Sequence, residues 1–204
     1  MLLKLPSFLK KFLSPIVWDF PEEEDAVFLT FDDGPTKDIT YWVLDLLDKY
    51  KAKATFFCIA RNVEMYPEIY REIIARGHRV GNHSYSHVRD LCRDSAEDYE
   101  RDVELARHFI DSDLYRPPYG VITPKKVKRL KDRYKIVMWS ILGRDYVRSL
   151  SGKAVANNVV PHLYPGAVIV FHDSVKCFER LKFALPLVLE AIKEKNYKCK
   201  SISI

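Results

Sequence analysis

With 204 residues, 48% of them hydrophobic and 30% charged, the chain can bury one sizeable core and is not disordered. Its formal net charge of +5 suits an anionic surface or polymer, but the charge is too small and too dispersed to argue for a nucleic-acid partner. Four cysteines, Cys58, Cys92, Cys177 and Cys199, form no C-x-x-C pair; their spacing points away from a zinc-thiolate site and toward reduced thiols.

Residues 1–24 read as an N-terminal extension. Leu2, Leu3, Leu5, Phe8, Leu9, Phe12 and Leu13 could line one face of a short amphipathic helix. Residues 1–18 would then either contact a membrane surface or pack against the domain. No apolar stretch has signal-peptide length, and none reaches the roughly 18 to 20 residues that span a bilayer. The expected location is therefore cytoplasmic, with peripheral membrane attachment through the N-terminus as a variant.

From residue 25 to 204, short β-like runs alternate with helical patterns in one domain. Strands are expected at Val27–Phe31, Ala54–Ile59, Arg79–His83, Leu114–Arg116, Tyr134–Trp139, Val168–Phe171 and Tyr197–Ile202. Helices are expected near Ile39–Tyr50, Pro67–Arg76, Ala96–Ile110, Pro124–Asp132, Lys153–His162 and Leu181–Lys195. Ser95 and Thr123-Pro124 supply start signals, and Gly77 a stop. Such alternation implies an α/β fold with a parallel sheet wrapped by helices.

The first expected strand ends in Thr30-Phe31-Asp32-Asp33-Gly34-Pro35. Adjacent carboxylates disfavour each other's ionisation unless a cation or a donor compensates. The third strand leads into His83-Ser84-Tyr85-Ser86-His87, two imidazoles at i, i+4 that project from one face if the segment is a helical turn. With Asp33 they make a two-imidazole, one-carboxylate set with a position left for water, as in catalytic zinc sites. Asn82-His83-Ser84 also spells a glycosylation sequon, a coincidence where no export signal is read.

Arg116-Pro117-Pro118-Tyr119-Gly120 reads as a rigid loop led by an arginine that could clamp a carboxylate bidentately. Trp139-Ser140 with Asp145-Tyr146, and Val170-Phe171-His172-Asp173, close the series. An acid elsewhere on the rim could orient His172 and raise its pKa, as a general acid requires. Ligand-type residues at the ends of five strands converge only if those ends share one rim. A distorted (β/α) barrel with about seven strands is therefore favoured over an open doubly wound sheet.

These five clusters, in this order, resemble the NodB-homology polysaccharide deacetylases (carbohydrate esterase family 4), over about residues 25 to 204. Three of the family's motifs are complete: T-F-D-D-G-P at Thr30–Pro35, H-[ST]-x-x-H at His83–His87 and R-[AP]-P-[YFW]-G at Arg116–Gly120. The fourth is partial, because Leu142 stands for an acid and Tyr146 for a tryptophan; the fifth carries Val170 where leucine is usual.

The resemblance implies a divalent metal, most plausibly zinc, on Asp33, His83 and His87. It implies Asp32 as base, His172 as acid, Arg116 steadying the base, Asp145 tuning the acid, and the Tyr119 N–H as oxyanion donor. Tyr119, Trp139, Tyr146 and Val170 form the expected substrate contacts, with Tyr146 and Val170 where the family houses the acetyl methyl. The implied reaction is removal of N-acetyl groups from an amino-sugar glycan of chitooligosaccharide or peptidoglycan type. The altered pocket keeps another acyl group, O-acetyl or formyl, in play. A catalytically silent carbohydrate-binding protein is the rival from another class, but it would need neither base nor acid. Tyr41, Trp42 and Tyr85 offer further aromatic platforms. The run Lys125, Lys126, Lys128, Arg129 and Lys131 reads as the solvated face of an outer helix, with no nucleic-acid role expected.

Overall fold

The computed structural model describes residues 15–87 and 95–204. The amphipathic face expected within residues 2–13, and Cys92, lie outside the described residues. In chain order the strands are β1 (Ile16–Val17), β2 (Ala26–Asp32), β3 (Ala54–Cys58), β4 (Arg79–Asn82), β5 (Leu114–Tyr115), β6 (Lys135–Val137), β7 (Ile141–Leu142), β8 (Val168–His172) and β9 (Lys198–Cys199). The α-helices are α1 (Ile39–Lys49), α2 (Ala60–Met65), α3 (Pro67–Ala75), α4 (Ala96–Ala106), α5 (Pro124–Leu130), α6 (Gly152–Asn157) and α7 (Phe178–Glu194).

The strands pair in parallel in the order β1-β6-β5-β4-β3-β2-β8-β7, with β9 set beside the start of β2. The result is a curled, incompletely closed (β/α) barrel whose edges are β1 and β7. The chain leaving β6 crosses that gap: Met138 N–H bonds the Val17 carbonyl on one side, and Ser140 N–H bonds the Val168 carbonyl on the other. Of the nine strands among the described residues, β1 and β7 are additional to the seven expected. Each has two residues, too few for any periodicity to show. Tyr134–Trp139 shortens to Lys135–Val137 because the chain must turn across the gap. Helix α2 was equally invisible at six residues. Residues 15–24 run along the domain, with β1 on β6 and Asp19 bridged to Ala167.

Strand β2 is buried at all seven positions, so polarity does not alternate, yet its side chains still serve two cores. Val27, Leu29 and Phe31 join the larger core beneath the helices. Phe28 faces the barrel interior with Phe57, Leu114, Val137, Val168 and Ile202. Thr30 and Asp32 share that inward parity. Outside, Phe31 stacks on its register partners Phe56 and Phe171, at 5.1 and 6.4 Å between ring centroids. Each fully buried aromatic or aliphatic side chain of this kind contributes roughly 1.5–3 kcal/mol.

Helix α7 lays Leu181, Ala184, Leu185, Val188, Leu189 and Ile192 on that core at helical spacing. Ser95 and Thr123 cap α4 and α5 by accepting from the N–H groups of Asp98 and Lys126. Cys58 is buried within the larger core. Lys126 lies buried 4.3 Å from the Tyr99 ring, and Arg129 pairs with Glu97 and Glu100. Much of that basic run is thus neutralised against α4. No helix among the described residues is long and apolar enough to cross a membrane.

Candidate active site

Parallel pairing sets Asp32, the last residue of β2, opposite His172, the last residue of β8. The C-terminal ends of β4, β5 and β7 lead into the other motif loops on the same rim. Together they enclose a cavity of about 350 Å³ lined by Asp32, Asp33, His83, His87, Tyr119, Gly120, Trp139, Leu142, Tyr146, Val170, His172 and Lys176. Nine of the eleven expected site residues thus line one cavity. Arg116 and Asp145 lie behind it.

The turn after Asp32 is built for close approach. Asp33 adopts φ 79°, a left-handed conformation that aspartate tolerates better than most residues. A Cβ on Gly34 would stand 2.1 Å from Asp173 Oδ2, so only glycine fits. Thr36 N–H donates to Thr40 Oγ1 at 2.8 Å, and the Thr40 hydroxyl donates to Asp173 at 2.5 Å. Asn62 of α2 donates to the Asp33 carbonyl at 2.8 Å. These contacts fix the loop from three sides.

Residues 83–87 are not helical. Ser84 (φ 66°) and His87 (φ 49°) are left-handed, and the loop folds back instead of winding. The rings still meet, 4.9 Å apart. His83 Nδ1–H donates to the Arg116 carbonyl at 2.8 Å, which leaves Nε2 as the lone-pair nitrogen. Asp33 Oδ1 lies 3.8 Å from His83 Nε2 and 3.2 Å from His87 Nε2. Those separations suit ligands of one cation at about 2.0–2.2 Å from each, and the hydrogen bond behind His83 is the usual support for a ligating imidazole. Burial lowers both imidazoles to about 4, so each is neutral and able to ligate at pH 7. Burial alone would raise Asp33, but surrounding positive charge, His172 foremost and Lys176 among the rest, holds it well below the carboxylate range. The donor set fits a divalent ion.

Arg116 is fully buried. It meets Asp32 through one nitrogen only, at 2.7 Å from Oδ1, and so is not bidentate. The same nitrogen donates to Thr30 Oγ1, and the others reach the carbonyls of Val137 and Met138. The guanidinium lies 4.0 Å from the Phe57 ring centroid. Its fork is spent on fixing the barrel interior beneath the carboxylate. Burial raises the Asp32 pKa, and the charges of Arg116 and His172 oppose that rise without cancelling it.

Across the rim, His172 Nδ1–H donates to Asp145 Oδ1 at 2.7 Å, and the His172 N–H donates to Oδ2 at 2.8 Å. Asp145 is fully buried, and Arg180 donates to its carbonyl. Burial works against a proton on His172, but the Asp145 carboxylate, aided by Asp33 and Asp32, outweighs it and holds the imidazole up at about 9. One side of the cavity therefore holds the Asp32 carboxyl group seated on Arg116, and the other an imidazole whose proton Asp145 sustains.

Tyr119 sits in a tight turn at φ 59°, and its hydroxyl donates to the His87 carbonyl at 3.3 Å. A Cβ on Gly120 would meet the Trp139 ring at 2.5 Å, so glycine lets the loop close on the tryptophan. Tyr146 packs edge-on against His172. Of the other aromatic platforms, Tyr41 does not line the cavity. Trp42 packs on Phe178, and Tyr85 packs on Phe109 while donating to Glu64. Asn82 of the sequon is buried and donates to the Val103 carbonyl.

Sequence reasoning missed Lys176, whose Nζ lies 2.9 Å from Asp33 Oδ2, and it missed Asn62, Thr40 and Asp173 as supports. Only Asp173 carried a signal, as the residue after His172.

The polysaccharide deacetylase family model matches residues 20–134. The chain belongs to that family. It is 32% identical over 206 residues to a peptidoglycan-N-acetylglucosamine deacetylase of Bacillus cereus, covering 96% of each chain. It is 35% identical over 156 residues to a chitooligosaccharide deacetylase of Bradyrhizobium sp., covering 72% of this chain and 70% of that one. The crystal structure of the Bc1960 peptidoglycan N-acetylglucosamine deacetylase superposes with a TM-score of 0.85 at 29% identity, covering 97% of this chain and 95% of the other.

Proposed function

We propose that this protein hydrolyses the N-acetyl amide of an amino-sugar glycan of the peptidoglycan or chitooligosaccharide type. The observation that carries the reading is the opposed pair across one cavity: buried Asp32 on Arg116, and His172 charged by Asp145. A pure binding site has no use for both. Asp33, His83 and His87 would hold the cation, zinc by the chemistry of the set. When bound it supplies a lowered pKa for water and polarisation of the acyl carbonyl.

Asp32 accepts the proton of the attacking water. Its raised pKa makes it a stronger base than an exposed aspartate, and Arg116 opposes its protonation and aims it. The Tyr119 N–H donates to the carbonyl oxygen as charge gathers there, an interaction typically worth about 3–4 kcal/mol. His172 gives its Nε2 proton to the departing nitrogen, which leaves poorly as an anion. Asp145 holds Nδ1 so that Nε2 faces the cavity. Val170, Leu142 and Tyr146 form the apolar wall for the acyl methyl, with Trp139 beside them.

Relatives named as peptidoglycan and chitooligosaccharide deacetylases support the substrate class. The test is mass spectrometry of N-acetylglucosamine oligomers treated with zinc-supplied protein. The reading requires loss of acetyl units matched by free acetate and new amines. Acetate from an O-acetylated glycan alone would instead make this an esterase.

A further inference from the structure

Lys176 lines the catalytic cavity, yet the proposed mechanism gives its ammonium no task. The side chain is half-exposed and pairs with Asp33 Oδ2 at 2.9 Å, while Oδ1 of the same carboxylate faces His83 and His87. Around it, the carboxyl groups of Asp32, Asp33 and Asp145 are matched by Arg116, His172 and Lys176. A divalent ion on the Asp33–His83–His87 set turns that balance into a net positive site. The site stays positive even with a full charge on Asp173, the buried acid behind Gly34. Asp33 then shares its charge with the ion, and the ammonium is left with a weakened partner.

A place for another anion adjoins the cavity. A second groove, of about 440 Å³, is lined by Asp33, His87 and Lys176 in common with the catalytic cavity, so Lys176 stands on the boundary between the two. Met65 and Val175, 60% and 77% exposed, form its apolar wall together with Tyr66. Among its described lining residues, Asp33 is the only carboxylate. We infer that Lys176 sets substrate preference by pairing with a carboxylate on the sugar next to the scissile N-acetyl unit. An acidic strand of the peptidoglycan type is thereby favoured over a neutral chitooligosaccharide. The neighbouring sugar lies in the groove, its C–H face on Met65 and Val175. An ammonium on a flexible stem can follow a carboxylate that is itself carried on a short side arm. The chain's net charge of +5 favours the same kind of polymer. This assignment rests on the proposed function, which defines the scissile unit; the pairing itself needs no turnover.

Calorimetry on zinc-saturated Asp32→Asn protein measures that pairing as binding alone. The probes are N-acetylglucosamine oligomers and, at equal length, alternating oligomers of N-acetylglucosamine and N-acetylmuramic acid with free lactyl carboxylates. The acidic oligomer binds roughly fivefold more tightly, the yield of a partly exposed ion pair, and added salt narrows the gap. Amidating the lactyl carboxylates abolishes the preference, as does Lys176→Met in the same background, whereas Lys176→Arg keeps it. Each preference is a ratio within one protein, so any change in zinc affinity that Lys176→Met brings moves both probes alike. Equal binding of the two oligomers, binding of neither, or a preference that survives amidation or Lys176→Met would overturn the assignment. Acetate release by the wild type is measured beside it. Its absence alongside an intact binding preference counts against the proposed function and not against the role of Lys176.

Discussion

Asp32 and His172 are register partners, the last residues of adjacent parallel strands, and each is backed by a buried group of opposite charge. Arg116 stands behind the carboxylate and Asp145 behind the imidazole. The two backing groups are fully buried, so each charge on the rim has a fixed, desolvated counter-charge.

Arg116→Met leaves Asp32 buried without its counter-charge. Removing one partner of such a pair costs about 3–5 kcal/mol, which urea unfolding will show. Asp32 then takes up a proton more readily, and kcat falls with it. Arg116→Lys restores little of either, because an ammonium cannot reach Thr30, Asp32 and two carbonyls from one plane.

Asp145→Asn removes the anion that sustains the His172 proton. The acid must be protonated to act, so activity is lost as pH rises through its pKa. The alkaline limb of the kcat profile therefore moves to lower pH by at least one unit in the variant. Stability follows the same group. A folded-state pKa of about 9 against roughly 6.5 in the unfolded chain gives metal-free wild type a contribution that is complete below about pH 6.5 and lost as pH rises through about 9. The stability gap between wild type and Asp145→Asn closes across that interval.

Lys176 presents its ammonium to the second oxygen of Asp33, where it would compete with a cation held by the same carboxylate. Lys176→Met is expected to bind zinc more tightly, by roughly fivefold as befits a partly exposed ion pair near 1 kcal/mol. Chelator competition measures the change. Unaltered affinity would mean that the ammonium leaves Asp33 at no cost.

Thr40→Val removes the hydroxyl that joins the Thr36 N–H to Asp173. A buried acceptor and a loop N–H lose their partner together, at a cost of about 1–3 kcal/mol. Because that loop carries Asp33, zinc affinity falls along with thermal stability.

Much of this was legible in the chain. Thr30–Pro35, Arg116–Gly120 and Val170–Asp173 each join an apolar run to chemically loaded residues, and a parallel sheet delivers such ends to one rim. What stayed hidden depends on contacts between distant segments. The left-handed turns at Ser84 and His87 replace the helical turn that i, i+4 spacing suggested, and the two rings meet by loop closure. Arg116 could be read as a bidentate clamp because the use of its fork is decided by Thr30, Val137 and Met138, none of which the motif itself contains. Lys176 and Asn62 belong to no motif, and only the folded chain brings them to Asp33.

The role of Asp32 is tested by acetate release from N-acetylglucosamine oligomers by wild type and Asp32→Asn, each with its zinc content measured. With Asp32 as the base, the wild type releases acetate and the variant loses at least about a hundredfold at equal zinc content, as expected for removal of a general base. Equal release by both proteins would contradict it, because the carboxylate on Arg116 would then not be the group that takes the proton from water.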